Sequence, residues 1–520
     1  MAFRVTYATL AAESDEVHRA FDAGLAELEP LLGATHGSII GGEERSTGAE
    51  IAERSPVDTD VLVARFVEAT AAEVAEAVGV AKAFAPTWAA TPWSERVRLL
   101  DAGADLISDR RNLISAVLTT EVGKNRLESL GDVEETADLI RYYTNQLSEH
   151  GGFEQPMGRL NPAEATYDVM RPYGTWAVVT PFNFPAALSG GPAGAALAAG
   201  NTVVVKPPPQ GAWTTLLIMR CLLDAGLPPD ALHVVVGGDE VGQALVADPR
   251  IDGITFTGSY EVGMQLHRAA AGPYPRPVIC EMGGKNPVIV SRQADLDLAA
   301  EGTARSAFGL SGQKCSAASR VYVERPVADA FIERLVERAR AMRPADPRQR
   351  DTYVGPVVDS AAVDRYERAV AEAEANGEVL AGGRRVTDGP LQRGYYMEPA
   401  VVRVPRTSWV ASMELFVPLI AVEPVDSLDE AFALANDTPL GLTAGFFSRD
   451  QAEIDDFLER IEAGVVYVNR KAGATTGAWP GVQPFGGWKG SGSGGKAGGG
   501  PYYLQQYLRE QSRTIVEEQG

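Results

Sequence analysis

The sequence predicts an α/β protein built on two parallel sheets. From Gly174 onward, short apolar and β-branched runs alternate with helical segments, and after Gly283-Gly284 a second series of the same kind begins. Parallel neighbours need a crossover between them, so such a series places helices on the faces of each sheet. The length, 520 residues, holds two or three domains with full-sized cores.

Residues 1 to about 60 combine an amphipathic segment, Val17 to Leu32, with turns rich in Gly, Ser and Thr. Thr70 and Glu73 form a capping box, and Val74, Ala77, Val78 and Ala81 then recur at helical spacing. Thr91-Pro92 starts another helix with the apolar stripe Val97, Leu100, Ala104, Leu106 and Ile107. More helix follows through Leu139 and Ile140. Strands are expected at Ala177–Val179, Thr202–Val205, His233–Val236, Ile254–Phe256 and Val278–Cys280, with helices at Thr214–Asp224, Val241–Ala247 and Val262–Ala270. Gly226 ahead of Pro228-Pro229 stops the first of these helices. The second series runs Val288–Val290, helix Leu298–Phe308, Val321–Val323, helix Val327–Met342, helix Ser427–Leu434 and strand Gly464–Val468. Gly486 to Pro501 reads as a glycine linker, and Glu510 to Glu517 alternates like an edge strand in want of a partner.

Composition excludes several functions. A net charge of −22 opposes a nucleic-acid partner. The longest apolar region, Trp176 to Val205, is broken by Pro181, Asn183, Pro185 and Pro192, whereas a membrane span needs about 20 apolar residues in a row. The start, Met1 to Arg4, leads into charged helical sequence and not into a signal core. Three cysteines make no disulfide framework and no zinc spacing, so no metal site is expected and a cytoplasmic location is. The 47 basic residues include only eight lysines. Lys206, Lys285, Lys314, Lys471 and Lys489 lie in Gly/Pro-rich stretches and are candidates for specific roles; Lys82, on an amphipathic helix, reads as a surface lysine.

Of the cysteines, Cys221 sits in an apolar run and Cys280 inside a strand, both suited to inert burial. Cys315 alone is flanked by a cation, small residues and hydroxyls (Gly312-Gln313-Lys314-Cys315-Ser316), neighbours that favour a thiolate. Asn183, in Thr180-Pro181-Phe182-Asn183-Phe184-Pro185 at a strand end, can donate to an oxyanion, though an asparagine there also suits a plain turn. Lys206 ends the next strand. Thr257-Gly258-Ser259 ends a further strand and opens a helix, as a phosphate site or an ordinary cap would. Glu281, in Cys280-Glu281-Met282-Gly283-Gly284-Lys285-Asn286, can act as a base through water. Ser412-Met413-Glu414-Leu415-Phe416 and Val482-Gln483-Pro484-Phe485-Gly486-Gly487 add a carboxylate and aromatics.

Together these stretches, in this order along essentially the whole chain, resemble the aldehyde dehydrogenase superfamily. The resemblance implies a Rossmann-type dinucleotide-binding domain (residues 1–145 and 169–282), an α/β catalytic domain (283–499) and a β oligomerisation arm (146–168 and 500–520). It implies Cys315 as nucleophile, Glu281 as general base and Asn183 as oxyanion donor. It assigns Lys206, Gly258, Ser259, Glu414, Phe416 and Phe182 to the cofactor. The cofactor is NAD, with NADP open: three residues after Lys206 stands Pro209, where relatives often carry a carboxylate that repels a 2′-phosphate. The glycine expected after Phe416 is Val417, and the chain between Lys471 and Thr476 is longer than in some relatives.

Ser316 straight after the nucleophile, Asn469-Arg470-Lys471 and Thr476-Gly477-Ala478 resemble the branch that oxidises L-glutamate γ-semialdehyde, the open form of 1-pyrroline-5-carboxylate, in proline catabolism. In that branch Ser316, Gly477 and Ala478 hold the substrate α-carboxylate. Lys314 could add charge to that site, Phe485 lines it, and Glu128 faces the ammonium. Another semialdehyde, such as that of succinate, is the alternative substrate. A homodimer or larger homo-oligomer is expected. A Cys/His hydrolase would need a histidine near the nucleophile, and none of the five (His18, His36, His150, His233, His267) lies in such a motif.

Overall fold

A computed structural model describes residues 15–272, 274–477 and 479–516. The first β-α-β series forms the parallel part of a seven-stranded sheet. Its spatial order is Val278–Met282, Gly253–Gly258, Thr175–Val179, Thr202–Lys206, Leu232–Val234, all parallel, followed by the short antiparallel strands Ile39–Ile40 and Glu43–Glu44. Among the five parallel strands Thr175–Val179 comes first in the chain and lies in the middle. The strand order therefore reverses beside it, and the carboxyl ends there form a crevice. Its neighbour Thr202–Lys206 is buried along its whole length, which is why its sequence (TVVVK) is a continuous apolar run and not an alternating one.

The apolar stretch that follows Pro185 folds as the helix Ala187–Ala198, buried throughout. Its glycines allow close packing against the long helix Arg126–Glu149. A methyl added at Gly191 would sit 2.8 Å from Leu139 and one at Gly194 2.7 Å from Ile140. No helix among the described residues is long and apolar enough to cross a membrane.

The second series forms another seven-stranded sheet in the order Glu378–Ala381, Ala400–Arg403, Leu419–Val425, Ala318–Glu324, Asn286–Val290, Thr443–Phe447, Val465–Val468. Only the first pair is antiparallel. The sequence reading marks three of these strands; the other four, and the helix Ser360–Asn376 that precedes them, are absent from it. The chain's end, Leu508–Val516, is an edge strand, and its partner is Glu164–Pro172, with Glu154–Pro156 beyond it.

Two expectations change. Gly486 to Pro501 is not a free linker. Ser491 O accepts from Met282 N at 2.8 Å, Ser493 N donates to Cys280 O at 3.0 Å, and Ser493 Oγ both accepts from Cys280 N and donates to Val278 O, each at 2.9 Å. The segment thus pairs the open edge of the first sheet, and its glycines let backbone approach backbone. Lys82 is not a lone surface cation either: its ammonium meets both carboxylate oxygens of Asp252 at 2.7 and 2.6 Å.

Candidate active site

The carboxyl ends of the first sheet deliver four of the predicted residues. Phe182 and Asn183 follow the central strand, Lys206 ends its neighbour, and Gly258 ends Gly253–Gly258. Ser259 caps the helix Tyr260–Ala270, its hydroxyl accepting from Val262 N at 3.3 Å. Lys206 is buried, and burial lowers its pKa despite the fields of Asp239 and Glu68. No carboxylate among the described residues pairs with it. Its stem lies beside the position of Gly242, 3.7 Å from where a methyl would stand. A cation held at a strand end without an anion, next to a helix N-terminus and the point of strand reversal, fits a ribose and pyrophosphate.

Cys315 stands at the end of a strained approach. Leu310, Ser311 and Gly312 have φ of +49°, +52° and +70°. Two non-glycine residues in the left-handed region carry strain. The loop is held by Ser311 Oγ donating to Gly355 O at 2.6 Å and by Val358 N donating to Gln313 Oε1 at 2.8 Å. Gly312 is required sterically as well, because a β-carbon there would strike Val417 O. Beyond the cysteine, Asn286 Nδ2 donates to Cys315 O at 2.7 Å and to Ala317 O at 2.8 Å.

Asn183 is buried and meets this loop directly: its Nδ2 donates to Gln313 O at 2.9 Å. A side-chain amide carries two hydrogens, so one remains for a substrate oxygen. Beneath it, Lys124 and Asp132 form a fully buried pair at 2.8 Å. The Lys124 ammonium also lies 3.4 Å from the centroid of the Phe184 ring, and Asp132 Oδ1 accepts from Ala187 N at 2.9 Å. This pair clamps the Phe182–Phe184 turn to the helix Arg126–Glu149. Sequence reasoning missed it, although Lys124 belongs to the small lysine set and could have been noticed on that ground.

Glu281 accepts from Gly487 N at 3.2 Å, and burial pushes its carboxyl up to about 8. Glu414 accepts from Gly284 N at 2.9 Å and is pushed up to about 7 by the same cause. Gly283 is open enough for the second Glu414 oxygen, which a side chain there would strike. Phe416, with φ +56°, stands edge-on to Phe182 at 6.0 Å between centroids. Cys315, half-buried, thus titrates between acids. Burial first, then the Glu414 and Glu281 carboxyls, push its thiol up to about 12, against backbone N–H groups of Ser316 and Cys315 that favour the thiolate. These surroundings oppose the thiolate that the flanking residues favour. Lys314, the cation next to it in the chain, is paired with Glu128.

That ion pair also bears on two substrate candidates, since Lys314 and Glu128 face each other. The other anchors converge. Ser306 Oγ accepts from Thr475 N at 3.0 Å and from Ala318 N at 3.3 Å, so it joins the loop carrying Gly477 to the loop carrying Ser316. Phe485 pairs with Gly498 through backbone bonds of 2.9 and 2.7 Å. Ala478 lies outside the described residues.

Residues 43–512 match the aldehyde dehydrogenase family, and the chain belongs to that family. Among its relatives is 1-pyrroline-5-carboxylate dehydrogenase 1 of Halalkalibacterium halodurans, 35% identical over 506 residues and 96% of each chain. The 1-pyrroline-5-carboxylate dehydrogenase of Bacillus thuringiensis is 36% identical over 505 residues, also 96% of each chain. The crystal structure of 1-pyrroline-5-carboxylate dehydrogenase from Thermus with bound NAD superposes with a TM-score of 0.92 at 33% identity, covering 97% of each chain.

Proposed function

We propose that this protein oxidises L-glutamate γ-semialdehyde, formed by opening of 1-pyrroline-5-carboxylate, to L-glutamate in proline catabolism. The observation that carries the reading is the Ser306 bridge: it ties the nucleophile loop to the Thr475–Gly477 loop, so that polar donors suited to a carboxylate stand at a fixed distance from Cys315. Relatives of nearly full length that bear the name of this activity support it.

In this reading Cys315 Sγ adds to the aldehyde carbon, and the free amide hydrogen of Asn183, with a backbone N–H, receives the oxyanion. A nicotinamide dinucleotide, when bound, supplies the acceptor for the hydride that leaves the thiohemiacetal. Lys206 and Glu414 would hold its two riboses, Gly258 and Ser259 its pyrophosphate, and Phe182 and Phe416 would border it. The enzyme-bound thioester is then hydrolysed by water that Glu281 deprotonates. Ser316 and Gly477 with Ala478 bind the α-carboxylate, and Phe485 lines the site. We assign residues 1–145 and 169–282 to dinucleotide binding, 283–499 to catalysis, and 146–168 with 500–520 to a cytoplasmic homo-oligomer's arm.

The test is the absorbance of reduced cofactor with 1-pyrroline-5-carboxylate and with succinate semialdehyde, each with NAD and NADP. The expected outcome is a larger kcat/KM for 1-pyrroline-5-carboxylate. An equal or larger value for succinate semialdehyde overturns the substrate assignment, and the NAD to NADP ratio reports the effect of Pro209.

A further inference from the structure

We propose that Arg470 supplies the positive charge that selects substrates with a terminal carboxylate, acting on the binding loop from behind. The inference deepens the reading above and rests on it. The anchors named there are a hydroxyl and backbone N–H groups, all neutral. Lys314, the cation adjacent in sequence to the nucleophile, has its charge matched by Glu128. Neutral donors accept an amide or a carbonyl almost as readily as a carboxylate, so discrimination against uncharged aldehydes needs a further source.

Arg470 follows the strand Val465–Val468, just after Asn469, whose φ is +52°. Its guanidinium carbon lies 4.6 Å from the centroid of the Tyr467 ring. The Tyr467 hydroxyl in turn donates to Thr476 O at 2.7 Å and Gly477 O at 3.0 Å. Guanidinium, phenol and binding loop are therefore one contact chain. The loop itself is fixed from the other side, where Ala474 N donates to Gly302 O at 2.9 Å and Thr475 N to Ser306 Oγ.

One nitrogen of Arg470, Nη1, is buried and has no hydrogen-bond partner. Arginine stays charged at every physiological pH, so this is a desolvated N–H on a permanent cation. Such a group is costly to leave unmatched. A carboxylate held on the Gly477 loop lies in the field of that cation, and an alkyl end gains nothing from it. Arg470 makes no contact with the reacting atoms and is a positioning residue.

The experiment compares steady-state kinetics on 1-pyrroline-5-carboxylate and on pentanal for the parent and for Arg470→Met and Arg470→Gln, with thermal melting alongside. The expected result is a KM for 1-pyrroline-5-carboxylate raised roughly tenfold in both variants, the effect of one charge acting through protein. The kcat stays within about twofold, and the pentanal constants do not move. Arg470→Gln keeps a polar side chain and serves if Arg470→Met fails to fold. Losses of equal size on both aldehydes mark a merely structural role and overturn the proposal, as does an unchanged KM. A parent that does not prefer 1-pyrroline-5-carboxylate to pentanal overturns the proposed substrate and this role together; a parent that prefers it, with variants that keep the preference, overturns Arg470 alone.

Discussion

Cys315 and Glu281 titrate against each other across one buried space. In the proposed mechanism Glu281 is ionised when it deprotonates water, and burial pushes its carboxyl up to about 8. Below that value the protonated form dominates, so the hydrolytic limb should climb with pH and level off above about 8. Glu281→Gln should slow steady-state turnover by roughly 10²–10⁴-fold while leaving a first-turnover burst of reduced cofactor, read by stopped flow. The same substitution removes one of the charges that raise the Cys315 thiol. Alkylation of Cys315 by iodoacetamide at pH 8 should therefore become no slower, and faster if repulsion dominates the barrier. A lost burst together with slowed alkylation would show that Glu281 shapes the site and does not act as a base.

At the scale of elements, the loop into the nucleophile is the site's most constrained piece of backbone. Three left-handed residues in succession place Gln313 O against Asn183 and the Cys315 carbonyl against Asn286. Gly312→Ala adds strain at φ +70° and a collision with Val417 O. We expect about 1–3 kcal/mol of lost stability and, because an ångström of displacement at the reacting atom costs on the order of 100-fold, a much larger fractional loss of kcat. Thermal melting and turnover measured on the same sample separate the two. Unchanged turnover would mean that the loop relaxes without moving the sulfur. The buried Lys124–Asp132 pair works at the same scale. It holds the turn after the central strand from below, where a water-exposed pair would contribute little.

For the molecule as a whole, the three-stranded antiparallel sheet is hydrogen-bonded separately from the two seven-stranded sheets. Leu508–Val516 pairs with Glu164–Pro172 at nine positions, yet most of its side chains stay exposed in the single chain. Met157, Leu160, Ile515 and Val516 are large apolar side chains open to water on this arm. An exposed edge with apolar residues invites a second copy. Removing residues 510–520 should leave the two large sheets folded and lower the assembly's mass, measured by light scattering after gel filtration. A truncated protein with the parent's mass would place the interface elsewhere.

How much of this was legible in advance depends on the range over which each feature is decided. Strand runs such as Thr202–Lys206, caps such as Thr70 with Glu73, and the order of Asn183, Lys206, Ser259, Glu281, Cys315 and Glu414 along the chain are local, and the sequence by itself determined them. Local pattern also announced the helix breaks and the absence of an apolar span. It could not determine the ionisation of Cys315, because that depends on burial and on the carboxyls of Glu414 and Glu281, which the fold brings beside it. Nor could it show that a run of glycines from Gly486 pairs a sheet edge, or that an arginine lies behind a binding loop. Charge and hydrogen-bond partnership are properties of neighbours in space, and only the tertiary structure decided which residues those neighbours are.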